Sequence, residues 1–177
     1  MIISFAHTTP ALIARRKTVT RREWQDDYAA RIARQVPGLL ADAWNVSPRV
    51  VDRKTGKPIG GKVATIKLLS VTKEPMTSMP DEDYEGEGFG YLYEHPESLP
   101  KTLWGEPVGR ADFSPAAFDH WRSSPAEMWV VRFELIDINT WPWGDDGRLC
   151  FNCGIYGRFD GRCRVCRSTL VMPGADR

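Results

Sequence analysis

The chain has 177 residues, of which 42% are hydrophobic, and its 24 Lys and Arg nearly balance 23 Asp and Glu to give a net charge of +1. These totals exclude an intrinsically disordered chain and support one packed domain with a small appendage. No apolar run approaches the ~20 residues of a membrane span, and the N-terminus lacks the pattern of a secretory signal, so we expect no membrane association.

The charges are unevenly distributed along the chain. Residues 1–36 carry seven Arg or Lys against three acids, residues 74–106 carry nine acids against Lys101, and residues 148–168 carry five Arg against Asp160. This pattern predicts a basic face, an acidic loop and a basic tail. All four cysteines lie near the C-terminus, whereas a secreted disulfide framework is usually spread through a fold, so we expect a cytoplasmic protein.

Short strands and helices alternate in the predicted element order. Thr8 or Thr9 caps a helix that has Pro10 at its first position, and Trp24, Tyr28 and Ile32 form one apolar stripe of a second helix. Strands are predicted at residues 1–5, 17–21, 39–44, 62–72 and 127–138. Helices are predicted at residues 10–14 and 23–35, from 79–81 to 87, and from 114–115 onward, while residues 47–61 form a hairpin or loop.

The segment 15–22, Arg-Arg-Lys-Thr-Val-Thr-Arg-Arg, contains five cations in eight residues. Cations at this density repel one another unless an anion lies among them, and either a phosphate backbone or a carboxylate cluster would serve. The alternative is a solvated basic strand.

Preceded by Ala14, this segment resembles the Gly-Arg-Lys-Thr-hydrophobic-Thr-x-Arg motif of ASCH domains, which are PUA-like β-barrels. Residues 2–12 and the later segment 83–89, Asp-Tyr-Glu-Gly-Glu-Gly-Phe, are similar to further parts of that family in the same order. The resemblance covers about residues 1–138. Arg15 stands where the family usually has a Gly that caps a helix in the left-handed conformation, so the local turn is expected to differ.

The resemblance implies a catalytic set. Some ASCH proteins are amidohydrolases that remove an acetyl group from N4-acetylcytidine with a Lys, a Thr and a Glu, and the matching residues are Lys17, Thr20 and Glu87. A desolvated Lys can take the proton of a hydroxyl nucleophile, a carboxylate can orient that Lys, and an arginine can stabilise the developing oxyanion. Glu87 is favoured over Glu85 because it lies between two glycines.

Geometry sets a condition on this set. Positions 17 and 20 of one regular strand point to opposite faces, so Lys17 must precede the strand if it is to meet Thr20. Otherwise Lys17 is a surface charge, and Thr20 pairs across a sheet.

The same family resemblance implies RNA binding, because PUA-like and ASCH domains are expected to bind RNA. Arg16, Lys17, Arg21 and Arg22 would contact phosphates or a base in the pocket, and Trp24 would stack on a base. The alternative for Trp24 is packing in the core.

The four cysteines form two Cys-x-x-Cys pairs, Cys150 with Cys153 and Cys163 with Cys166. Two such pairs place four thiolates for tetrahedral zinc, and four thiolates fill the coordination of the metal, so a structural zinc site is predicted. Disulfides, a redox pair and an iron–sulfur cluster are the alternatives. The surrounding arginines and aromatics suit single-stranded nucleic acid, or the module is a clip that docks on the barrel.

These observations predict an α+β protein with a PUA-like mixed β-barrel and flanking helices at residues 1–138. A linker (139–147), a zinc ribbon (148–170) and a tail (171–177) follow. The function expected first is binding of nucleic acid, RNA before DNA, or of a modified nucleoside through the basic pocket. The alternatives are an amidohydrolase of N4-acetylcytidine-like nucleosides, a ribonuclease and a protein–protein adaptor. The oligomeric state is left open.

Overall fold

A computed structural model describes residues 1–47, 49–51, 61–99, 108–138, 148–149 and 156–157. Within them the chain is α+β, with a five-stranded mixed sheet and several helices. The strands of the sheet are β1 (Ile2–Ser4), β2 (Val19–Arg22), β3 (Leu40–Trp44), β4 (Lys62–Pro75) and β5 (Glu127–Ile138). The five predicted strands are therefore confirmed, with β2 beginning two residues later than expected.

The sheet has the strand order β1-β3-β4-β5-β2. β1 pairs with β3 in parallel, and the other neighbours are antiparallel. Register shifts at Thr65/Ile66 and Leu68/Ser70 interrupt the long β4–β5 ladder. Irregularities of this kind bend strands, and they let two long strands curve around a core.

Five α-helices lie in the described residues. They are α1 (Thr9–Ile13), α2 (Asp26–Ala33), α3 (Asp83–Gly86), α4 (Phe89–Glu94) and α5 (Pro115–Arg122). Short 3-10 helices occur at Ala6–Thr8, Met76–Ser78, Pro96–Ser98 and Arg110–Phe113. The start of α5 follows the prediction, since the Ser114 side chain accepts a hydrogen bond from the Ala117 amide and Pro115 opens the helix. Helix α4 was not predicted.

The main core lies on one face of the sheet. Val131 and Phe133 of β5 are buried there, and Trp129 and Leu135 pack against it, which confirms the predicted apolar side of that strand. The apolar stripe of α2 covers the same core through Ile32, with Trp24 and Tyr28 beside it. Helices α4 and α5 build separate clusters around Leu92 and Phe118, and the aromatic ring of Phe89 packs against both clusters.

The sheet is open in the described residues, with β1 and β2 as its edge strands. Arg22 of β2 nevertheless donates a hydrogen bond from Nη2 to the carbonyl oxygen of Ser4 in β1. The two edges therefore approach each other at their C-terminal ends. Closure into a barrel would require strand pairing between them in addition to this contact.

Several predictions fall largely outside the described residues. These are the loop at 47–61, the linker at 139–147, the zinc ribbon at 148–170 and the tail at 171–177. Two short strands are described there, β6 (Arg148–Leu149) and β7 (Tyr156–Gly157), which pair antiparallel. In the described part of the chain, every helix is too short or too polar to cross a membrane.

Candidate functional site

The turn after α1 delivers Lys17 to the site. The Arg15 amide donates to the Leu12 carbonyl at 3.0 Å, and the Arg16 amide donates to the Ala11 carbonyl at 2.9 Å. This is the Schellman pattern of a helix C-terminus, and Arg15 takes its left-handed position with φ 62°. The expectation of a different turn is therefore wrong, because Arg15 adopts the conformation that Gly usually supplies.

Lys17 precedes β2, as the catalytic set requires, and its side chain is 1% exposed. Its Nζ donates to the Glu87 backbone carbonyl at 2.6 Å and to Glu87 Oε2 at 2.8 Å. The Glu87 side chain is 5% exposed. The structure thus brings together two of the three predicted catalytic residues across 70 positions of sequence.

Arg21 completes the coordination of Glu87. Its Nη1 donates to Glu87 Oε1 at 2.9 Å, while its Nη2 donates to Asp83 Oδ2 at 2.5 Å. Asp83 in turn accepts two hydrogen bonds from Arg132, at 2.8 and 3.1 Å. Asp83 in α3 and Glu87 at its C-terminal cap therefore bind three basic side chains, Lys17, Arg21 and Arg132, and the first two are almost completely buried.

Glycines allow α3 to lie directly against the edge of β2. The Thr18 amide donates to the Gly86 carbonyl at 2.9 Å. A Cβ on Gly86 would lie 2.8 Å from Val19 Cγ1, and a Cβ on Gly88 would lie 2.6 Å from Ala11 Cβ. Gly88 also has a positive φ of 89°. The two glycines that flank Glu87 thus permit the close approach that places its carboxylate beside Lys17.

Burial lowers the pKa of Lys17 from its ordinary value of 10.5, since it disfavours the charged ammonium. The charge and hydrogen bond of Glu87 oppose this shift, and the nearby charges of Arg22 and Arg21 add to it. The amine is therefore neutral over a wider pH range than an exposed lysine. That property is required of a lysine that accepts a proton from a hydroxyl group.

Thr20 lies in β2 opposite Val131, on the face of the sheet that carries the main core, and it is 5% exposed. Lys17 reaches the same side, because its Nζ lies 5.9 Å from the centre of the Phe5 ring and that ring packs against Phe133. Among the described residues, the Thr20 hydroxyl makes no direct hydrogen bond to Lys17. Both groups therefore lie on the core side of the sheet, and the described hydrogen bonds of Lys17 Nζ go to Glu87.

The residues predicted to contact nucleic acid divide into buried and exposed groups. Arg22 is partly buried with its guanidinium 5.6 Å from the Phe5 ring centre, and burial lowers its pKa. Arg16 is exposed and pairs with Glu85 at 3.0 Å, so Glu87 rather than Glu85 lies against Lys17. Trp24 packs edge-on against Tyr28 at 5.3 Å, next to the core.

The predicted zinc ligands lie outside the described residues, namely Cys150, Cys153, Cys163 and Cys166. Within the described ranges, no group of three or more His, Cys, Asp or Glu residues is arranged to hold a metal ion.

No family model and no curated protein matches the chain. Among solved structures, it is similar to protein EF3133 from Enterococcus faecalis V583, a protein described under the family model DUF984. The similarity covers 77% of this chain and 74% of the other, with 17% identity and a TM-score of 0.39. A likeness this distant assigns no function.

Sequence reasoning missed Asp83 and Arg132 as members of the site. Asp83 and Glu87 are four residues apart, which places two acids on one helical face, and this spacing was visible within the predicted helix. Arg132 belongs to the site because the strand register places it opposite Val19, at the start of β2. That register depends on long-range pairing and has no local signal.

Proposed function

We propose that the chain is an ASCH-like hydrolase that removes an acyl group from a nucleobase amide of the N4-acetylcytidine class. The observation that carries the proposal is the buried Lys17–Glu87 pair, with Nζ 2.8 Å from Oε2. Lysine is rarely this buried in a protein unless it is paired, and a buried lysine with a lowered pKa next to a carboxylate is typical of catalytic sites. The motif resemblance independently selects the same two residues.

The proposed chemistry assigns one task to each group. Lys17, as a neutral amine, takes the proton of the Thr20 hydroxyl while the Thr20 oxygen forms a bond to the acyl carbon. The C–N bond then breaks, and the proton passes from Lys17 to the departing amino group of the base. Water hydrolyses the resulting ester, so that acetate leaves and the Thr20 hydroxyl is restored. In this scheme Glu87 orients the amine throughout, and Arg22 is assigned to stabilise the oxyanion.

Binding of RNA without turnover is the second candidate, and the basic segment supports it only in part. Lys17 and Arg21 are buried and already paired with acids, which leaves them poorly placed to contact a phosphate backbone. Arg15 and Arg16 are exposed beside them. A protein that binds a modified base without turnover would use these exposed cations outside the pocket and the buried residues Lys17 and Arg21 within it.

The experiment is mass spectrometry of N4-acetylcytidine incubated with the full chain. We expect cytidine and acetate from wild type, with the rate rising with pH toward a plateau governed by a pKa below 10.5. Lys17→Met, Thr20→Val and Glu87→Gln should each lower the rate by at least about 100-fold. Glu85→Gln is the matched control and should retain activity. A folded wild-type protein without turnover would refute the hydrolase proposal.

We also propose the finer architecture of the chain. The contact between Arg22 and Ser4 supports a PUA-like barrel, because it draws the two edge strands together. The zinc ribbon is supported by the pairing of Arg148 with Gly157 and of Leu149 with Tyr156. The six residues between these short strands include Cys150 and Cys153, and a hairpin that presents Cys-x-x-Cys is the usual half of such a site.

A further inference from the structure

An open cleft of about 460 Å³ lies beside the Lys17–Glu87 pair, where the pairing of β2 with β5 ends. Its walls carry the cations Arg15, Lys17 and Arg132, and its apolar part is formed by Leu69, Phe133 and Leu135. The volume is within the range of small-molecule sites. Lys17 lines this cleft and also belongs to the buried pair, so a ligand in the cleft lies next to that pair.

The charge of the cleft is not balanced. The acid in its wall, Glu134, forms an ion pair at 3.0 Å with Lys67, which does not line the cleft. Lys17 and Arg132 have acid partners, but Arg15 forms no ion pair within the described part of the chain. The guanidinium of Arg15 is therefore an exposed cation at the wall of an otherwise neutralised cleft, and it attracts an anion.

The backbone of Arg15 provides a second, independent observation. Its φ of 62° is the conformation that Gly adopts without cost at a helix C-terminus, and a residue with a Cβ is strained there by about 1–2 kcal/mol. A side chain that is kept at such a position despite the strain points to a role for that side chain.

We propose that this cleft binds a phosphate group of the ligand and that Arg15 is its principal contact. The inference rests on the proposed function for the identity of the base, which would lie toward Lys17 and Glu87. A nucleotide would then bind more tightly than the corresponding free nucleoside. Its phosphate belongs either to a nucleoside 5′-monophosphate or to an RNA chain, and both present the oxygens that a guanidinium binds.

The test is calorimetric titration of the full chain with cytidine, cytidine 5′-monophosphate and a short oligocytidylate. We expect wild type to bind the monophosphate at least about tenfold more tightly than cytidine. Arg15→Gly should reduce this ratio to near one without lowering the melting temperature, because the substitution also relieves the backbone strain. Arg15→Lys should keep part of the preference, and Arg31→Gln, at an exposed arginine of α2, should keep all of it.

The oligonucleotide identifies the source of the phosphate. RNA is indicated if the oligonucleotide binds more tightly than the monophosphate. In that case the salt dependence of oligonucleotide binding should fall by about one released ion in Arg15→Gly. Equal binding of the two indicates a free nucleotide.

Wild type that binds cytidine and its monophosphate equally, or not at all, would overturn the inference, as would a preference unchanged in Arg15→Gly. Turnover of N4-acetylcytidine is measured separately. If the wild-type protein shows no turnover, the hydrolase proposal is refuted, and the result on phosphate binding is unaffected.

Discussion

Asp83 and Glu87 share one guanidinium: Arg21 donates to Asp83 Oδ2 at 2.5 Å and to Glu87 Oε1 at 2.9 Å. The two acids belong to adjacent turns, Asp83 in α3 and Glu87 at its C-terminal cap. Because Glu87 also holds Lys17, each charge in the network has a partner. The site is therefore assembled as a unit, and the effect of removing one member depends on which charge is left alone.

Glu87→Gln leaves the buried cations Lys17 and Arg21 with less compensating charge. We expect the free energy of unfolding to fall by about 3–5 kcal/mol in urea titrations, since breaking a buried pair strands a charge. Glu85→Gln, two positions away, removes a pair with Arg16 whose partners are 51% and 45% exposed, and should cost under about 1 kcal/mol. Equal losses in the two variants would contradict the burial argument.

Arg15→Gly should raise the free energy of unfolding by roughly 0.5–1 kcal/mol, although it deletes a side chain. The substitution relieves left-handed strain, and the greater freedom of Gly in the unfolded chain offsets part of the gain. Ala14→Gly is the control, because Ala14 has φ −70° and gains nothing from Gly. It should lower stability by about 0.5–1 kcal/mol. A destabilised Arg15→Gly variant would mean that the side chain also supports the fold.

Gly88→Ala should be clearly destabilising, because both the backbone and the available space oppose a side chain. Gly38 separates the two causes: its φ is +109°, but a Cβ there meets nothing within 4 Å. We expect Gly38→Ala to cost about 1 kcal/mol from the backbone alone. Gly88→Ala adds the collision with Ala11, worth about 1–3 kcal/mol more. Chemical denaturation of both variants measures the difference.

Acid should weaken the fold through Asp83. Burial raises the pKa of this carboxyl, but hydrogen bonds and charges from Arg132 and Arg21 outweigh it and hold the pKa below its ordinary value. A carboxyl whose folded pKa is depressed stabilises the fold above its unfolded pKa of about 3.9, and the contribution is lost as pH falls through the folded pKa.

Asp83→Asn should therefore flatten the dependence of unfolding free energy on pH below about pH 4. The variant should also be less stable than wild type at neutral pH, because Arg21 and Arg132 lose a charged partner. Asp27→Asn, at an exposed position of α2, controls for the change in net charge. An unchanged acid slope in Asp83→Asn would show that other groups govern acid unfolding.

Zinc removal tests the predicted ribbon. We expect native mass spectrometry of the full chain to show one zinc ion, lost on chelation and absent from Cys153→Ser. Because a module of this size has little core of its own, metal loss should unfold it. The sheet should keep its melting transition, since its main core is formed by residues of β1, β3, β4 and β5 and of the helices packed on them. Four freely reactive thiols in zinc-loaded protein would contradict the site.

Local signals predicted the elements and part of the site. The alternation of residues 127–138 identified β5 and its buried side, and Ser114 with Pro115 identified the start of α5. The glycines around Glu87 indicated an unusual turn. Helix α4 was missed because Phe89–Glu94 is short and begins beside glycines. Its helical conformation depends on the packing of Leu92 and Phe89 rather than on helix propensity.

The sequence by itself determined the five main strands and the apolar faces of α2 and β5, because side-chain periodicity and turn residues act over a few neighbours. It predicted Lys17 as the first residue of a strand, and only the structure placed Lys17 ahead of β2. Only the tertiary structure decided that Glu87 and Asp83 close over Lys17, Arg21 and Arg132. Those contacts join residues 49 to 70 positions apart, and they depend on strand register and close approach at glycines. It also decided that Arg15 takes a left-handed conformation, since the turn after α1 requires one whichever residue stands there.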